Sequence, residues 1–390
     1  MTETVPTTPA RRVHSGLKAF VHSRIFFALV CLLLVMLLNV IVTVATGGTA
    51  LGFFKVTMAN GTLNGPLITI LNRSSELVIL AVGMTLVVSC SRGVDISVGA
   101  VMAFSSAVMI WLLGYGTLPQ NDYHVKAYVV PLIVGVLVAV AVGALCGAWN
   151  GFLVSRLRIQ PMVATLILFT GARGLAKVVA DGQINKVDLP NFRWFGNFIQ
   201  DSAGNNIVPI PTPIFIAAGV VLVAALILRF TALGMNVQAV GINDKASRIL
   251  GLKATRIILV AYLVCGVCAA IAGFIASSRI GGIDTQNNGK MIELDAILAV
   301  ALGGNSLAGG KFSLPGSVIG AVTIQALTTV LYSINVSADQ LPLYKAIVVV
   351  IIVILQSSEL KPLWHRLVSG LTRRRAGAVG QVGLATEAGE

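Results

Sequence analysis

Charged side chains are scarce in this sequence. Asp, Glu, Lys and Arg make up 11% of the 390 residues, whereas soluble domains contain about 25%. Hydrophobic residues make up 56% of the chain. So few charges cannot cover the water-facing surface of a protein of this length. The composition therefore excludes a soluble globular fold and predicts an integral membrane protein.

Histidine and cysteine are also rare, and their positions exclude several kinds of site. The chain has 4 His and 5 Cys. Every His lies outside the apolar runs, so no metal cluster is predicted within the membrane, and neither HExxH nor GxSxG occurs. Cys265 and Cys268 form a CxxC inside an apolar helix, where we interpret both as packing residues. We therefore predict no catalytic residue, metal or cofactor in this chain.

A nucleotide-binding loop is missing from the sequence as well. The segment 304–312 comes near the P-loop pattern, but Asn305 occupies the first glycine position and Phe312 the Ser/Thr position. If ATP hydrolysis drives the function of this chain, ATP and Mg²⁺ must bind to another polypeptide.

Long apolar runs dominate the rest of the sequence. The first run, 25–45, is too long for the core of a signal peptide and long enough to cross about 30 Å of hydrocarbon. Further runs lie at 74–90, 95–114, 128–150, 160–180, 212–230, 256–278, 292–308, 315–334 and 342–358. We predict an all-α polytopic membrane protein with about ten transmembrane helices, in which residues 25–358 form the membrane domain.

The run at 292–308 is the weakest of these predicted spans. Its continuous apolar stretch is too short to cross the bilayer as a straight helix at about 1.5 Å per residue, and it is interrupted after Leu302 by Gly303-Gly304 and Gly309-Gly310. We predict one short or broken span here, with irregular backbone that protein rather than lipid covers.

Basic residues set the predicted orientation. The net charge is +13, but the Lys and Arg residues lie in short segments between apolar runs. We interpret them as topology-setting charges beside membrane lipid rather than as a nucleic-acid-binding surface. Placing the tail 1–24 in the cytoplasm puts most of them on that side, together with the tail 359–390 and its Arg373-Arg374-Arg375 cluster.

Glycine is the residue type whose spacing predicts helix packing. The chain has 40 Gly. Gly143, Gly147 and Gly151 form one GxxxGxxxG stripe, and Gly316 with Gly320 forms a second GxxxG. Residues four apart share one helix face, so each stripe is a flat surface for a neighbouring helix, in this chain or in a second copy.

A short helix is predicted in the cytoplasmic loop 231–256. Asn243 suits the N-cap and Gly251 the C-terminal stop. A helix of two turns does not persist alone in water, so it must dock, either on its own transmembrane helices or in the groove of a partner protein. The residues concerned are Ile242, Asn243, Asp244, Lys245, Ala246, Arg248, Ile249 and Leu250.

Ionisable residues within or beside apolar runs are candidates for function because burying them is costly. Arg92 and Asp95 are three residues apart, as are Arg73 and Glu76, so we predict that each couple forms a structural charge pair. Ser97 can add a hydrogen bond to Asp95. The alternative reading is that Asp95, or Glu293 with Asp295, carries protons in a proton-coupled secondary sugar transporter.

Several separated motifs resemble those of the ribose-type permeases of ATP-binding-cassette (ABC) sugar importers. They are VGMTLVV from Val82, GVDISVGA from Gly93, WNGFLV from Trp149, QPMVATL from Gln160 and ELDAILAVALGGNSLAGG from Glu293. The segments TALGM from Thr231 and AVGIN from Ala239 look closest to the first permease subunits of galactofuranose importers. One departure is that the family has Gly-Gly before Val/Ile-Asp, whereas Ser91-Arg92 stands before Gly93 here.

The resemblance implies a permease subunit in the bacterial inner membrane. Its expected partners are a cytoplasmic ABC ATPase, a second permease subunit that is either identical or a paralogue, and a periplasmic or lipid-anchored sugar-binding protein. The resemblance also favours the ATPase as the docking partner of the short helix in 231–256.

Polar residues in the spans predict the kind of substrate. Amides, hydroxyls and carboxylates suit a neutral monosaccharide, because leaving a buried polar group without a partner costs about 1–3 kcal/mol. No cluster of inward-facing basic residues is evident that would fit a sugar phosphate. The predicted translocation path contains Asn150, Gln160, Thr165, Asn288, Glu293, Asp295 and Gln325.

Overall fold

A computed structural model of the chain describes residues 24–49, 52–59, 61–114, 116–117, 124–125, 130–187, 189–201 and 205–356. The predicted cytoplasmic tail 359–390 lies outside the described residues, as does the tail 1–24 except for Arg24. Two compact units divide the chain at Asn335 and Val336.

The structure is mostly helical. The first unit contains α1 (Arg24–Ala45), α2 (Pro66–Ser91), α3 (Val98–Leu113), α4 (Leu132–Ser155), α5 (Pro161–Val179), α6 (Thr212–Phe230), α7 (Leu233–Ile242), α8 (Asp244–Ile249), α9 (Ala254–Ile280), α10 (Ile292–Leu302) and α11 (Leu314–Ser333). In the second unit the described helix is α12 (Leu341–Gln356). Short 3-10 helices lie at Gly52–Phe54 and Pro190–Phe195.

Seven of the described helices are long and apolar enough to cross a membrane: α1, α2, α4, α5, α6, α9 and α11. Three shorter apolar helices, α3, α10 and α12, occupy the remaining predicted spans. The prediction of a polytopic all-α membrane protein is therefore confirmed.

Short strands join segments that lie far apart in the sequence. The strands β1 (Thr57–Ala59) and β2 (Thr62–Asn64) form an antiparallel pair. The strands β3 (Gly116–Thr117), β4 (His124–Val125), β5 (Asn185–Lys186) and β6 (Gly282–Ile283) form a four-stranded antiparallel sheet in the order β4-β3-β5-β6. This sheet gathers the loops after α3, α5 and α9 at one end of the helices, which we call the outer end.

Three helices form the centre of the bundle. Most residues in the apolar stretches of α2, α9 and α11 are buried. Most residues in those of α1, α4, α5 and α6 are not. Helix α9 packs against α4, α2 and α3, and α11 packs against α1, α10 and α2. The helices at the periphery of the bundle expose large apolar side chains such as Leu33, Leu145 and Leu222. This distribution suits a protein whose periphery faces lipid tails.

The predicted glycine stripe is the seam between α4 and α9. A Cβ atom at Gly143 would collide with the carbonyl oxygen of Gly266, and one at Gly147 would collide with that of Tyr262. A Cβ atom at Gly151 would lie 2.9 Å from the Cα atom of Leu259, which is also too close for a side chain. The second stripe, Gly316 and Gly320, packs in the same way on α10. Both stripes therefore join helices within this chain.

The weakest predicted span has the expected form. Helix α10 ends at Leu302, and irregular backbone continues from there up to α11. Asn305 is 6% exposed and bonds this segment to α11: its amide donates to Ser317 Oγ at 2.7 Å, and its Oδ1 accepts from the Ser313 amide at 2.6 Å. Asn305 thus ties the backbone after the short helix to α11, while residues 306–308 of the same segment are exposed.

We expect Gly147→Ala to lower the stability of the bundle by about 1–3 kcal/mol, because the added methyl group overpacks the seam. Unfolding of the purified protein in detergent measures the change. Gly171→Ala is the matched control: Gly171 is also within a long apolar helix, but a Cβ atom there would meet nothing within 4 Å. Equal losses in the two variants would contradict the importance of the seam.

Candidate functional site

The loop 231–256 folds into two short helices at the end of the bundle where α2 ends, which we call the inner end. Asn243 caps α8, since its side chain accepts a hydrogen bond from the Ala246 amide at 3.0 Å. Gly251 adopts a φ of +82° immediately after the last turn, where glycine is favoured. Asp244 and Arg248 form an ion pair at 3.0 Å along one side of the helix. The predicted cap and stop are therefore confirmed.

The apolar side chains at the two ends of α8 and just beside it are open rather than packed on the chain's own helices. Ile249 is 87% exposed, Leu250 81% and Ile242 59%. Ala246 and Lys245 are exposed as well, whereas Ser247 is buried. The α8 helix thus rests on the bundle through Ser247 and presents its large apolar residues outward.

Arg92 connects the base of this helix pair to α2. Its Nε donates to the Gly241 carbonyl at 2.8 Å, and its Nη2 donates to the Ile242 carbonyl at 2.6 Å. The predicted Arg92–Asp95 pair is wrong. Arg92 is exposed at the end of α2, whereas Asp95 is buried, so the two side chains face different surroundings.

Three segments meet around Arg92. The Gly310 amide donates to the Ser89 carbonyl at 2.9 Å, which joins the irregular backbone after α10 to the last turn of α2. A Cβ atom at Gly241 would collide with the same carbonyl oxygen. The end of α7, the end of α2 and the segment 303–313 therefore form one junction directly beneath α8, which we call the inner junction.

The second predicted charge pair is also wrong. Glu76 forms an ion pair with Arg279 of α9 at 3.0 Å, and both side chains are largely buried. Arg279 also donates to the side chain and carbonyl of Asn72. Arg73 is neighbouring in helical spacing but exposed, and the largely buried Glu76 takes Arg279 as its ion-pair partner instead.

Asp95 is the centre of a buried polar cluster. Its Oδ1 accepts from Ser97 Oγ at 2.6 Å, as predicted, and from the Ser97 amide at 2.9 Å. Asn150 donates to Ser97 Oγ at 2.9 Å. Thr165 Oγ1 accepts from the Ile96 amide at 3.2 Å. This cluster ties α4 and α5 to the turn before α3.

The residues predicted for the translocation path do not form one surface. Asn150 and Thr165 are fully buried in the Asp95 cluster. Gln160 is exposed at the start of α5, and Gln325 and Asp295 are partly buried on α11 and α10. Of the seven residues, the structure brings together Asn150 and Thr165, while Asn288 and Glu293 lie near the outer end, where Glu293 lines a cavity.

Glu293 lines a polar cavity of about 320 Å³ between α5, the loop after α9 and the start of α10. Its lining includes Phe169, Arg173, Lys177, Gln286 and Lys290. Arg173 donates to the carbonyls of Asn288 at 2.6 Å and Gly289 at 3.2 Å, and so holds the loop against α5. We call this space the outer cavity.

Sequence reasoning missed the basic side of the outer cavity. Arg173 and Lys177 are four residues apart within a predicted span, so their shared helix face was a usable signal. Lys290 lies more than a hundred residues away in the sequence. The expectation that basic residues do not cluster therefore needs correction here.

A larger cavity of about 530 Å³ lies between α6, α7 and the start of α11. Its lining is mostly apolar and includes Val221, Leu228, Met235 and Ile319, with Arg229 at its polar side. Such a lining offers few partners for a hydroxyl-rich ligand. The outer cavity is the better candidate for a polar substrate.

Comparison with known proteins gives a consistent group of relatives. Residues 67–356 match the family described as "Branched-chain amino acid transport system / permease component". The galactofuranose transporter permease protein of Escherichia coli K12 is 40% identical over 329 residues, which cover 84% of this chain and 88% of that protein. The fructose import permease protein of Bifidobacterium longum is 38% identical, with 81% and 83% covered.

The ribose import permease protein of Escherichia coli K12 is 36% identical over 297 residues, covering 75% of this chain and 86% of that protein. These relatives confirm the resemblance that the motifs indicated. They give no support to the proton-coupled alternative, and Asp95, one of its proposed proton carriers, accepts hydrogen bonds within the chain.

We expect Arg92→Ala to loosen the inner junction, because two hydrogen bonds to the end of α7 are lost. Amide hydrogen exchange over residues 241–250 should accelerate about tenfold, equivalent to about 1.4 kcal/mol of local stability.

Arg156→Ala is the matched control, since Arg156 is also an exposed arginine at the inner end of a long helix. Unchanged exchange in Arg92→Ala, or equal acceleration in the control, would show that Arg92 does not hold the junction.

Proposed function

The chain belongs to the "Branched-chain amino acid transport system / permease component" family, and on that premise we propose that it is the membrane-spanning permease subunit of an ABC importer for a monosaccharide. The match covers residues 67–356, which include every described helix from α3 to α12 and nearly all of α2. This subunit forms the path through the membrane and is not itself the ATPase.

The substrate class follows from the relatives. The three compared proteins carry the names of permeases for galactofuranose, fructose and ribose, and all are at least 36% identical to this chain. Among these three, identity is greatest with the galactofuranose permease. We propose a galactofuranose-like monosaccharide as the substrate, with the sugar-binding protein supplying much of the selectivity.

The α8 helix carries the proposal that transport is coupled to a separate ATPase. The large apolar side chains at and beside α8 are exposed, which is unfavourable in water. The start of the helix is nevertheless held in place by the Asn243 cap and by the hydrogen bonds of Arg92 at the inner junction. A firmly held helix with an open apolar surface suits the groove of a partner protein. ATP and Mg²⁺ bind to that partner.

The proposed complex contains two permease subunits, the cytoplasmic ATPase and a periplasmic or lipid-anchored sugar-binding protein. We propose ten crossings in the inner membrane with both termini in the cytoplasm. Two observations support this arrangement: the four-stranded sheet gathers predicted outer loops, and Arg92, Gly241 and Gly310 of three predicted cytoplasmic segments meet at the other end.

The coupling role predicts the effect of Ile249→Asp. Burying an isoleucine contributes about 1.5–3 kcal/mol, so placing a carboxylate there should weaken ATPase binding by at least about tenfold. Co-purification of the ATPase with the permease from membranes measures this.

Ile184→Asp is the matched control, because Ile184 is 55% exposed and lies at the outer end. Normal ATPase binding by Ile249→Asp, with both variants inserted at wild-type levels, would contradict the role of α8.

The whole proposal is tested by uptake into vesicles that contain the permease, its ATPase and its sugar-binding protein. Labelled galactofuranose, ribose and galactose are compared, and we expect ATP-dependent uptake that is fastest for galactofuranose. A preference for ribose would contradict the proposed sugar. Uptake that continues without ATP would contradict the mechanism.

A further inference from the structure

The outer cavity is built around a carboxylate that the fold holds in place. Glu293 is 5% exposed and lies in the first turn of α10. A Cβ atom at Gly99 would collide both with Glu293 Oε2 and with the carbonyl oxygen of Gly289. Because Gly99 carries no side chain, α3 can pack directly on the Glu293 carboxylate and on the Gly289 carbonyl.

One oxygen of this buried carboxylate has no hydrogen-bond partner. Glu293 Oε2 is buried and receives no donor from the described residues. Buried acceptors without donors are costly and rare in folded proteins. Glu293 also lines the outer cavity, so a ligand there would lie beside a carboxylate whose hydrogen-bonding capacity the protein does not fill.

The guanidinium of Arg173 lies beside this cavity but donates no hydrogen bond to Glu293 Oε2. Arg173 donates to the carbonyls of Thr285, Asn288 and Gly289, and its charge also lies 6.0 Å from the centroid of the Phe169 ring. Its role is to fix the wall of the cavity. Few N–H groups of Arg173 therefore remain to bind a ligand. The chemical class of the ligand has to be inferred from the other residues that line the cavity.

The lysines at the rim are the available donors. The side chains of Lys177 and Lys290 are exposed, and neither ammonium group forms an ion pair with a residue that the structure describes. The Gln286 side chain is exposed beside them. The cavity thus offers acceptors at its buried base and ammonium and amide donors at its mouth.

We propose that the outer cavity is a binding subsite for a hydroxyl-rich sugar, in which Glu293 accepts hydrogen bonds from sugar hydroxyls and Lys177 and Lys290 donate to others. A hydroxyl group both donates and accepts, so one kind of ligand satisfies both sets of groups. A simple anion satisfies the lysines but is repelled by the buried carboxylate. The volume of about 320 Å³ is near the lower end of the range for small-molecule pockets, about 300–1,000 Å³.

This inference rests on the proposed sugar transport and assigns specific residues to it. The test uses the complete complex in vesicles, with Gln286→Cys introduced at the cavity mouth. A membrane-impermeant maleimide should label this cysteine from outside, while the native cysteines of the chain are buried. Galactofuranose, presented with the binding protein, should slow the labelling at least about threefold through occupancy of the site.

Ile184→Cys is the control for labelling, because Ile184 is exposed at the outer end but does not line the cavity. Its labelling rate should not respond to sugar. Protection of both positions would indicate that the docked binding protein merely covers the outer end, which would overturn the assignment. Protection of Gln286→Cys by inorganic phosphate and not by sugar would equally overturn it.

Glu293→Gln keeps the size of the side chain but removes its negative charge. We expect about a tenfold loss of uptake rate, as for one hydrogen bond to a charged group, and loss of sugar protection at Gln286→Cys. Lys290→Gln should lower uptake less, and Lys186→Gln, an exposed lysine on β5 outside the cavity, should leave it unchanged. Labelling rates of Gln286→Cys in the absence of sugar should match between the two Glu293 forms, which checks that the cavity has kept its shape.

The outcomes separate the inference from the proposed function. If the wild-type complex takes up no sugar, the proposed function fails. If the wild type transports sugar while Glu293→Gln transports equally well and sugar does not protect Gln286→Cys, the proposed function stands and the outer cavity is not its binding subsite.

Discussion

Direct backbone contact between α4 and α9 is the constraint on which the rest of the structure depends. The glycines at 143, 147 and 266 leave no space for a side chain between the two helices. Lipid gives no hydrophobic drive for helix association, so such close packing must hold the bundle together. Helix α9 begins just after the α8 loop and ends just before the loop that lines the outer cavity. The same central helix therefore positions both candidate sites.

Most of the buried charged side chains in the bundle hold two segments of the chain together. Arg279 and Glu76 join α9 to α2, Arg173 holds the loop after α9, and Asp95 gathers the turn before α3. Each is satisfied by protein groups, as burial in a membrane protein demands. Glu293 is different, because one of its buried oxygens lacks a donor among the described residues. Glu293 also lines the outer cavity, whereas Asp95 lines neither of the two cavities described above, and this is why Glu293 is the residue to associate with a ligand.

Features encoded locally could be predicted from the sequence. Hydrophobic runs located the helices, the spacing of glycines located the packing faces, and Asn243 marked the start of α8, because each depends on neighbours within a few residues. The charge pairs could not be predicted in this way. The partner of Glu76 is 203 residues away, and Arg92 bonds a carbonyl 149 residues away. The outer cavity was hidden for the same reason, since α5 and the start of α10 are distant in sequence and meet only in the fold.

Arg92 shows how a departure from a family pattern can be accommodated. It adopts a left-handed φ of 54°, a conformation that costs a residue with a side chain about 1–2 kcal/mol and glycine almost nothing. Its two hydrogen bonds to the end of α7 contribute about 0.5–1.5 kcal/mol each, which is of the same size. The exchange of glycine for arginine is therefore close to neutral for stability, but it adds a direct connection between α2 and the base of α8. A glycine at this position would give the turn its shape but could not donate these two hydrogen bonds to the end of α7.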